Sequence, residues 1–330
     1  MHLQSSMTYD SHVDTPSELL KFRRDISIDN KDGHVDFPKL RRGGVDGSFF
    51  ALYTSAETAP EVATGHALEM ISATCDAVEA SGGKAAITTS PQQALQNRQN
   101  GVFSVFLGME NGSPIQESLS LLREFYRIGT RYLTLTHNGD NAIADSAAQA
   151  NTWGGLSPFG LEVVKEMNRL GMMIDLSHAS DATFYDCIKY SAAPVIATHS
   201  CCRALCSHRR NLTDDMLRAL ADKDGYVGIN FYPYFLSDSY KGEGTPLPGV
   251  KEIVDHIDHA VGICGINHVG IGSDFDGIEV TPAGLDDVSK MPLVFEEMRR
   301  RGYTQEQIDL VSGANLMAVL ERVIKCSESA

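Results

Sequence analysis

Eight short segments rich in β-branched and apolar residues recur along the chain, and most are bounded by Gly, Pro or Asn. Continuous apolar runs of this kind are typical of parallel strands that are buried on both faces. The predicted strands span residues 7–13, 45–53, 102–109, 132–136, 172–177, 195–198, 226–231 and 268–273.

Segments with helical periodicity lie between these strands. In residues 161–170, for example, apolar side chains recur every three positions, which predicts one buried helix face. Ser157, Thr213 and Thr304 stand where N-caps are expected, and Gly171 stands where a helix should end. Strand and helix therefore alternate eight times.

This alternation predicts an α/β fold, namely a (β/α)8 TIM barrel. Because no Pro-rich or Ser-rich linker interrupts the pattern, we expect one catalytic domain over residues 1–330. The alternative is a doubly wound open sheet. That fold would require a Gly-rich phosphate loop after the first strand, and the sequence has none there.

Charge and cysteine content narrow the partners and the compartment. The net charge of −15 repels phosphate backbones and anionic lipids, so neither nucleic acid nor membrane is an expected partner. No run of about 18 apolar residues and no secretion signal is visible. Seven scattered cysteines, an odd number, fit a reducing compartment, and the expected location is the cytoplasm.

Six of the eight predicted strands run into acidic or histidine side chains. In barrel enzymes the C-terminal strand ends carry the catalytic groups, and imidazole and carboxylate groups are the common ligands of divalent ions. The sequence therefore predicts a site for a pair of metal ions. The residues at these strand ends are His12, Asp14, Glu110, His137, Asp175, His178, His199, Asp274 and Asp276.

The pattern His-x-Asp occurs twice near the N-terminus. In His12-Val-Asp14 the two-residue period of a strand would point both side chains to the same side, so that one metal could take both. His34 and Asp36 repeat the pattern between the first two predicted strands. We interpret this second copy as a loop or a solvated surface.

Several blocks, in this order, resemble the membrane dipeptidase (renal dipeptidase) family of binuclear zinc peptidases, in a soluble bacterial-type form without a lipid anchor. The resemblance runs from about Asp10 to Leu320. The matching blocks are Asp-Ser-His-Val-Asp-Thr-Pro at the start, Gly108-Met-Glu-Asn-Gly112, Arg131-Tyr-Leu-Thr-Leu-Thr-His137-Asn, Glu166-Met-Asn-Arg-Leu-Gly, Asp175-Leu-Ser-His178, His199-Ser, Arg209-Arg210-Asn211 and Gly272-Ser-Asp274-Phe-Asp-Gly277.

The resemblance implies a barrel of the metal-dependent hydrolase type and gives roles to eight residues of these blocks. His12 and Asp14 would bind one zinc ion, His178 and His199 the other, and Glu110 would bridge them. His137 would donate a hydrogen bond to the carbonyl oxygen, and Arg210 would bind the substrate carboxylate. Asp274 would bind the free amino end of the substrate and transfer the proton. Tyr232 and Trp153 could form pocket walls, although ordinary packing explains them equally well.

The expected activity is hydrolysis of a free dipeptide by a metal-bridging hydroxide, and relatives of this kind commonly form homodimers. The alternative is another binuclear hydrolase acting on lactones, phosphotriesters or N-acyl amino acids, because fold and metals alone do not determine the substrate. Arg210 distinguishes these two activities, since a neutral ester has no carboxylate that Arg210 could bind. A barrel that has lost catalysis would be expected to lack some of the five ligands, all of which are present.

Three further features bear on the pocket. Asn111 stands where the family usually has a second Gly after the bridging Glu. Cys201, Cys202 and Cys206 follow His199 and are expected to be small buried loop residues, because adjacent cysteines rarely share a tetrahedral zinc site. Residues 241–248 are predicted to be a mobile loop near the rim.

Overall fold

The computed structural model describes residues 7–148 and 151–328, and within these ranges it contains nine strands in one parallel sheet. The strands are β1 (Tyr9–Val13), β2 (Gly47–Tyr53), β3 (Ala85–Ile87), β4 (Phe103–Glu110), β5 (Thr130–Thr134), β6 (Met173–Asp175), β7 (Val195–Ser200), β8 (Tyr226–Ile229) and β9 (Val269–Ile271).

Helices follow the strands and cover the outside of the sheet. They are α1 (Thr15–Phe22), α2 (Phe37–Arg42), α3 (Pro60–Ala80), α4 (Pro91–Gln99), α5 (Leu119–Ile128), α6 (Pro158–Leu170), α7 (Asp181–Tyr190), α8 (Asp214–Asp222), α9 (Pro233–Leu236), α10 (Val250–Cys264), α11 (Pro292–Arg300), α12 (Gln305–Asp309) and α13 (Asn315–Glu328). Among the described residues, none of these helices is both long and apolar enough to cross a bilayer.

The strands pair in the order β1-β2-β4-β5-β6-β7-β8-β9, and the first and last strands meet. Beyond β9, Asp274 N donates to His12 O at 3.0 Å and Asp14 N donates to Phe275 O at 2.9 Å, so backbone hydrogen bonds close the ring. The predicted (β/α)8 barrel is confirmed. Strand β3 was not predicted; its three residues pair with the N-terminal half of β4, outside the ring.

The interior of the barrel is a separate apolar cluster. Large side chains from successive strands fill it, and α13 adds residues such as Leu316 and Leu320 to the same cluster. Each fully buried side chain of this size contributes on the order of 1.5–3 kcal/mol. This cluster, to which α13 contributes side chains, therefore fills the barrel, and the chemistry is left to the rim. The strand residues of the cluster include Tyr9, Phe49, Phe106, Tyr132, Met173, Ile196 and Tyr226.

The predicted helix boundaries follow from local capping. The side chains of Ser157, Thr213 and Thr304 each accept a backbone N–H in the first turn of α6, α8 and α12. Gly171 ends α6 with φ 76°, a conformation that glycine adopts without steric cost.

Candidate metal centre and substrate cleft

A cleft of about 700 Å³ opens at the C-terminal ends of the strands, above the closed barrel. Both proposed metal-facing carboxylates, Asp14 and Glu110, line it, together with His178. Arg210 and Asp274 lie in its walls as well. The barrel thus brings strand-end residues from distant parts of the chain to one opening.

Glu110, His178 and His199 form one group of donors. Nε2 of His178 lies 3.0 Å from Nε2 of His199, and Oε1 of Glu110 lies 3.1 Å and 3.5 Å from the two nitrogens. Two ligands of a single tetrahedral zinc, each bonded at about 2.0–2.1 Å, lie about 3.3 Å apart. All three separations are close to this value, so the group fits one ion of that size.

The second carboxylate oxygen of Glu110 faces a different pair of residues. Oε2 of Glu110 lies 3.7 Å from Nε2 of His12, and that nitrogen lies 3.3 Å from Oδ2 of Asp14. Nε2 of His12 is buried and has no hydrogen-bond partner among the described residues. A carboxylate whose two oxygens address two donor groups has the arrangement of a bridging ligand.

Hydrogen bonds on the far side of each ring determine which imidazole nitrogen faces the cleft. Thr198 donates its proton to Asp175 at 2.7 Å, so it must accept from Nδ1 of His199, 2.8 Å away. Nδ1 of His178 donates to Oδ1 of Asn138 at 3.1 Å. Burial lowers the pKa of both rings, so each is neutral at pH 7 and its Nε2 carries a lone pair. Two lone pairs that face each other at 3.0 Å favour a cation bound by both nitrogens.

The electrostatics of the site also call for positive charge. Burial and the Asp14 carboxylate raise the pKa of Glu110 well above its usual range, and the same two causes raise the pKa of Asp274 to about 6. Burial lowers the pKa of His12, but the carboxylates of Glu110 and Asp14 outweigh it and raise that pKa to about 10. The buried carboxylates of Asp14 and Glu110 and the partly buried carboxylate of Asp274 thus surround one imidazole and form a group that divalent cations would neutralise.

The same donor atoms can be grouped in more than one way. Among the residues that the structure describes, three groups of three side chains each have ligand atoms within 4.8 Å of one another, and two of these groups contain His137 or Asp274. Burial and the Arg210 charge lower the pKa of His137 to about 4, so its ring is neutral at pH 7. A neutral ring can donate one hydrogen bond to a carbonyl oxygen or ligate a metal.

Arg210 places a guanidinium group beside the metal donors. The residue is buried, and its Nη2 donates to the carbonyl of His199 at 3.3 Å. Its Nε has no hydrogen-bond partner, and no carboxylate of the described residues lies within 4.0 Å of the group. Burial lowers the pKa of Arg210 to about 10, so the group stays charged at neutral pH and needs an anion.

Asn230, at the end of β8, was not predicted as a site residue. Its Nδ2 donates to Oδ2 of Asp274 at 2.9 Å, and its Oδ1 accepts from the backbone N of Tyr232 at 2.5 Å. Asp274 has a left-handed φ of 64°, which non-glycine residues adopt only when neighbours hold them. Asn230 therefore connects Asp274 to Tyr232, whose hydroxyl donates to Glu279 at 2.6 Å across the cleft wall.

Comparison with known proteins was made on this fold and site. The family model described as membrane dipeptidase (peptidase family M19) matches residues 2–330. The chain belongs to the membrane dipeptidase family. It is thus a metallo-dipeptidase, a hydrolase that acts on dipeptides, as the resemblance of its motifs implied.

Relatives support this assignment over nearly the whole chain. A protein described as an uncharacterized dipeptidase from Schizosaccharomyces pombe is 37% identical over 95% of this chain and 79% of its own length. The solved structure of dipeptidase AC, a metallo peptidase, has a TM-score of 0.90 at 28% identity and covers 97% of this chain and 99% of its own. A Rhodobacter sphaeroides metallo peptidase, liganded with a phosphinate mimic of the dipeptide L-Ala-D-Ala, has the same TM-score and identity and covers 97% of this chain and 100% of its own.

Two buried carboxylates brace the strand ends of the dipeptidase from behind. Asp10 accepts from the backbone N of Ser273 at 2.9 Å and of His12 at 3.1 Å, which joins the first barrel strand to the last. Asp175 accepts from the backbone N and the hydroxyl of Thr198 at 2.8 and 2.7 Å. Both carboxylates are fully enclosed, so they hold metal-facing strands in register.

The second His-x-Asp copy lies apart from the metal donors. His34 accepts from the backbone N of Asp276 at 2.9 Å, and the His34 backbone N donates to the Asp276 carboxylate at 2.7 Å. Asp36 caps α2 by accepting from Lys39 N at 2.7 Å. The copy lies in a loop before α2, which is one of the two alternatives in the interpretation above; the other, a solvated surface, does not hold for Asp36, which is fully buried. The copy links this loop to the Asp274 segment.

The departures from the family pattern have local explanations. Asn111 has φ 78°, a left-handed conformation that favours Gly or Asn, and its side chain donates to Thr54 O at 3.0 Å. The cysteines after His199 are buried free thiols, as predicted. Tyr232 lines the cleft, whereas Trp153 is 46% exposed and lies outside it.

Proposed function

We propose that this dipeptidase hydrolyses the peptide bond of free dipeptides with two divalent ions, most simply zinc. One ion would be held by His12 and Asp14, the other by His178 and His199, with Glu110 shared between them. Once bound, such ions lower the pKa of a bridging water and polarise the scissile carbonyl.

The protein's own residues would hold the two ends of the substrate. The observation that carries this proposal is the buried Arg210 guanidinium, which faces the donor groups without a carboxylate partner among the described residues. A substrate carboxylate would supply the missing anion through charge-assisted hydrogen bonds. Asp274, fixed by Asn230 through one oxygen, keeps its other oxygen for the substrate ammonium and for the proton in transfer.

His137 would stabilise the oxyanion that develops at the scissile carbonyl. Its low pKa leaves a neutral N–H donor, and a preorganised donor of this kind acts without solvent reorganisation. The ring is held by an edge-to-face contact with Tyr53, with centroids 4.7 Å apart. Tyr232, with its hydroxyl tied to Glu279, would form a wall against the substrate.

The test is a metal and substrate panel. Purified protein should contain up to two divalent ions per chain, and a chelator should remove its activity. L,L and L,D dipeptides are assayed with zinc, cobalt and manganese, since the mimic bound to the R. sphaeroides enzyme has a D residue at its second position. Metal-free protein whose activity survives the chelator would contradict the proposal.

Three rival substrate classes are tested in the same assay. Lactones, phosphotriesters and N-acyl amino acids differ in the charges they offer to Arg210 and Asp274, and a neutral ester offers none. Turnover of a lactone above that of any dipeptide would favour the rival.

We also propose that the protein works in a reducing compartment, in keeping with its seven free cysteines. We propose in addition that it forms a homodimer, which light scattering would test.

A further inference from the structure

A second cavity of about 500 Å³ adjoins the cleft, and we call it the side pocket. Its walls include His208 and Arg209, which also line the cleft, so the two spaces share a wall. Tyr234, Tyr240 and Lys241 form much of the remainder. None of the residue roles described above uses this space.

The charges around the side pocket are mostly positive and uncommitted. The exposed side chain of Arg209 makes no hydrogen bond or ion pair with the described residues, and Lys241 has no carboxylate of those residues within 4.0 Å. The one acidic side chain in the wall, Asp238, accepts from Ser207 N at 3.1 Å and from its hydroxyl at 2.9 Å. The pocket therefore offers free cations, while its carboxylate is already satisfied.

The lowered pKa of His208 indicates the same positive potential. Burial and the charges of Arg210 and Arg209 lower the pKa of His208 to about 4. The His208 ring packs on the Phe235 ring with centroids 4.5 Å apart. The Arg210 guanidinium lies 5.4 Å from the centroid of the Phe235 ring. The side pocket thus lies at the Arg210 end of the cleft.

That position relates the side pocket to one part of a dipeptide. If Arg210 holds the substrate's C-terminal carboxylate, the Cα next to that carboxylate carries the side chain of the second residue. This side chain leaves the main chain one bond from the group that Arg210 holds. Two other carboxylates that line the cleft already have hydrogen-bond partners. Glu18 accepts from Arg24 at 3.3 Å, and Glu279 accepts from Tyr232 at 2.6 Å.

We propose that the side pocket binds an acidic side chain of the substrate's C-terminal residue, with Arg209 as the residue that determines this preference. The ligand class is therefore a dipeptide with Glu or Asp at its second position. The inference rests on the proposed function, because it takes Arg210 as the carboxylate anchor.

The experiment compares isosteric substrates that differ only in charge. For the parent enzyme, kcat/KM for Ala-Glu should exceed that for Ala-Gln by roughly 5- to 30-fold, as expected for a charge-assisted pair that is partly exposed. The L,L and L,D forms are both measured. Arg209→Met should reduce the Glu/Gln ratio towards one, whereas Lys21→Met, which removes a cation elsewhere in the cleft wall, should leave the ratio unchanged.

A charge reversal makes the test independent of any general damage. Arg209→Glu should turn the preference round, so that Ala-Lys becomes a better substrate than Ala-Glu. Equal hydrolysis of Ala-Glu and Ala-Gln by the parent, or a preference for Glu-Ala over Gln-Ala alone, would overturn the inference. Hydrolysis of no dipeptide at all would instead overturn the proposed function.

Discussion

Replacing Arg210 tests the central electrostatic argument. The guanidinium is buried and charged at neutral pH, yet its nearest acceptor among the described residues is a backbone carbonyl at 3.3 Å. Removing one partner of a desolvated charge pair costs roughly 2 to 5 kcal/mol, which is about 30- to 5,000-fold in kcat/KM. Arg210→Ala should lose this much on a free dipeptide. Arg210→Lys should also be impaired, because an ammonium cannot form a two-bond fork.

The assay pairs each free dipeptide with its C-terminal amide. The amide lacks the charge that Arg210 would hold, so the parent enzyme should hydrolyse it poorly and Arg210→Ala should change it little. The matched control is Arg218→Ala, since Arg218 is an exposed residue of α8 whose one ion pair within residues 7–148 and 151–328 is with Asp215. Circular dichroism and metal content establish that each variant is folded and loaded.

Two results would refute the reasoning about Arg210. The parent enzyme could hydrolyse amides and free acids equally well, which would show that no cation binds the substrate carboxylate. Alternatively, Arg210→Ala could damage both substrates to the same degree. Arg210 would then support the backbone around His199 rather than the substrate, and the dipeptide preference would need another physical cause.

Three further predictions concern the metal site and stability. His12→Ala should abolish activity and lower the metal content to one ion or less, whereas His34→Ala should keep two ions; equal losses would show that the wrong His-x-Asp was chosen. Gly277→Ala should lower metal occupancy, because a Cβ there would lie 2.1 Å from a carboxylate oxygen that faces the metal site; full occupancy by elemental analysis would contradict this. Hydrogen bonds from Arg169 lower the pKa of Glu166 to about 2, so its stabilisation is present above about pH 4.5 and is lost as the pH falls towards 2. Glu166→Gln should cost about 1–2 kcal/mol of unfolding free energy at pH 7 after allowance for exposure, and a gap in urea midpoint that does not shrink as the pH falls from 7 towards 2 would exclude this cause.

The fold was predictable because its signals are local and repeated. Each barrel strand is an apolar run, and each of the eight runs corresponds to an observed strand, with ends that differ by zero to two residues. Strand β3 escaped because three residues of Ala-Ala-Ile carry no periodicity that separates a strand from a loop. Its identity depends on pairing with β4, a contact between distant residues that no local pattern encodes.

The candidate ligands were predictable for a partly mistaken reason. The sequence argument placed His12 and Asp14 on one strand with a two-residue period. In the structure β1 ends at Val13, and Asp14 precedes α1 with φ −93° and ψ 20°, which is not strand geometry. The turn into α1, rather than the period of the strand, brings Oδ2 of Asp14 to 3.3 Å from Nε2 of His12.

The residues that escaped the sequence argument are those whose function is to orient others. Asn230 and Thr198 are neutral, and neutral polar residues at strand ends are too common to mark a site. Their importance follows only from geometry: Thr198 can set the tautomer of His199 because its single proton is committed to Asp175. An aspartate two or three residues before a strand-end histidine, as in Asp10-x-His12 and Asp175-x-x-His178, was visible in the sequence. In the structure each of these aspartates accepts a backbone N–H from a neighbouring strand end, Asp10 from Ser273 and Asp175 from Thr198, so the pattern marks where an orienting residue should be sought.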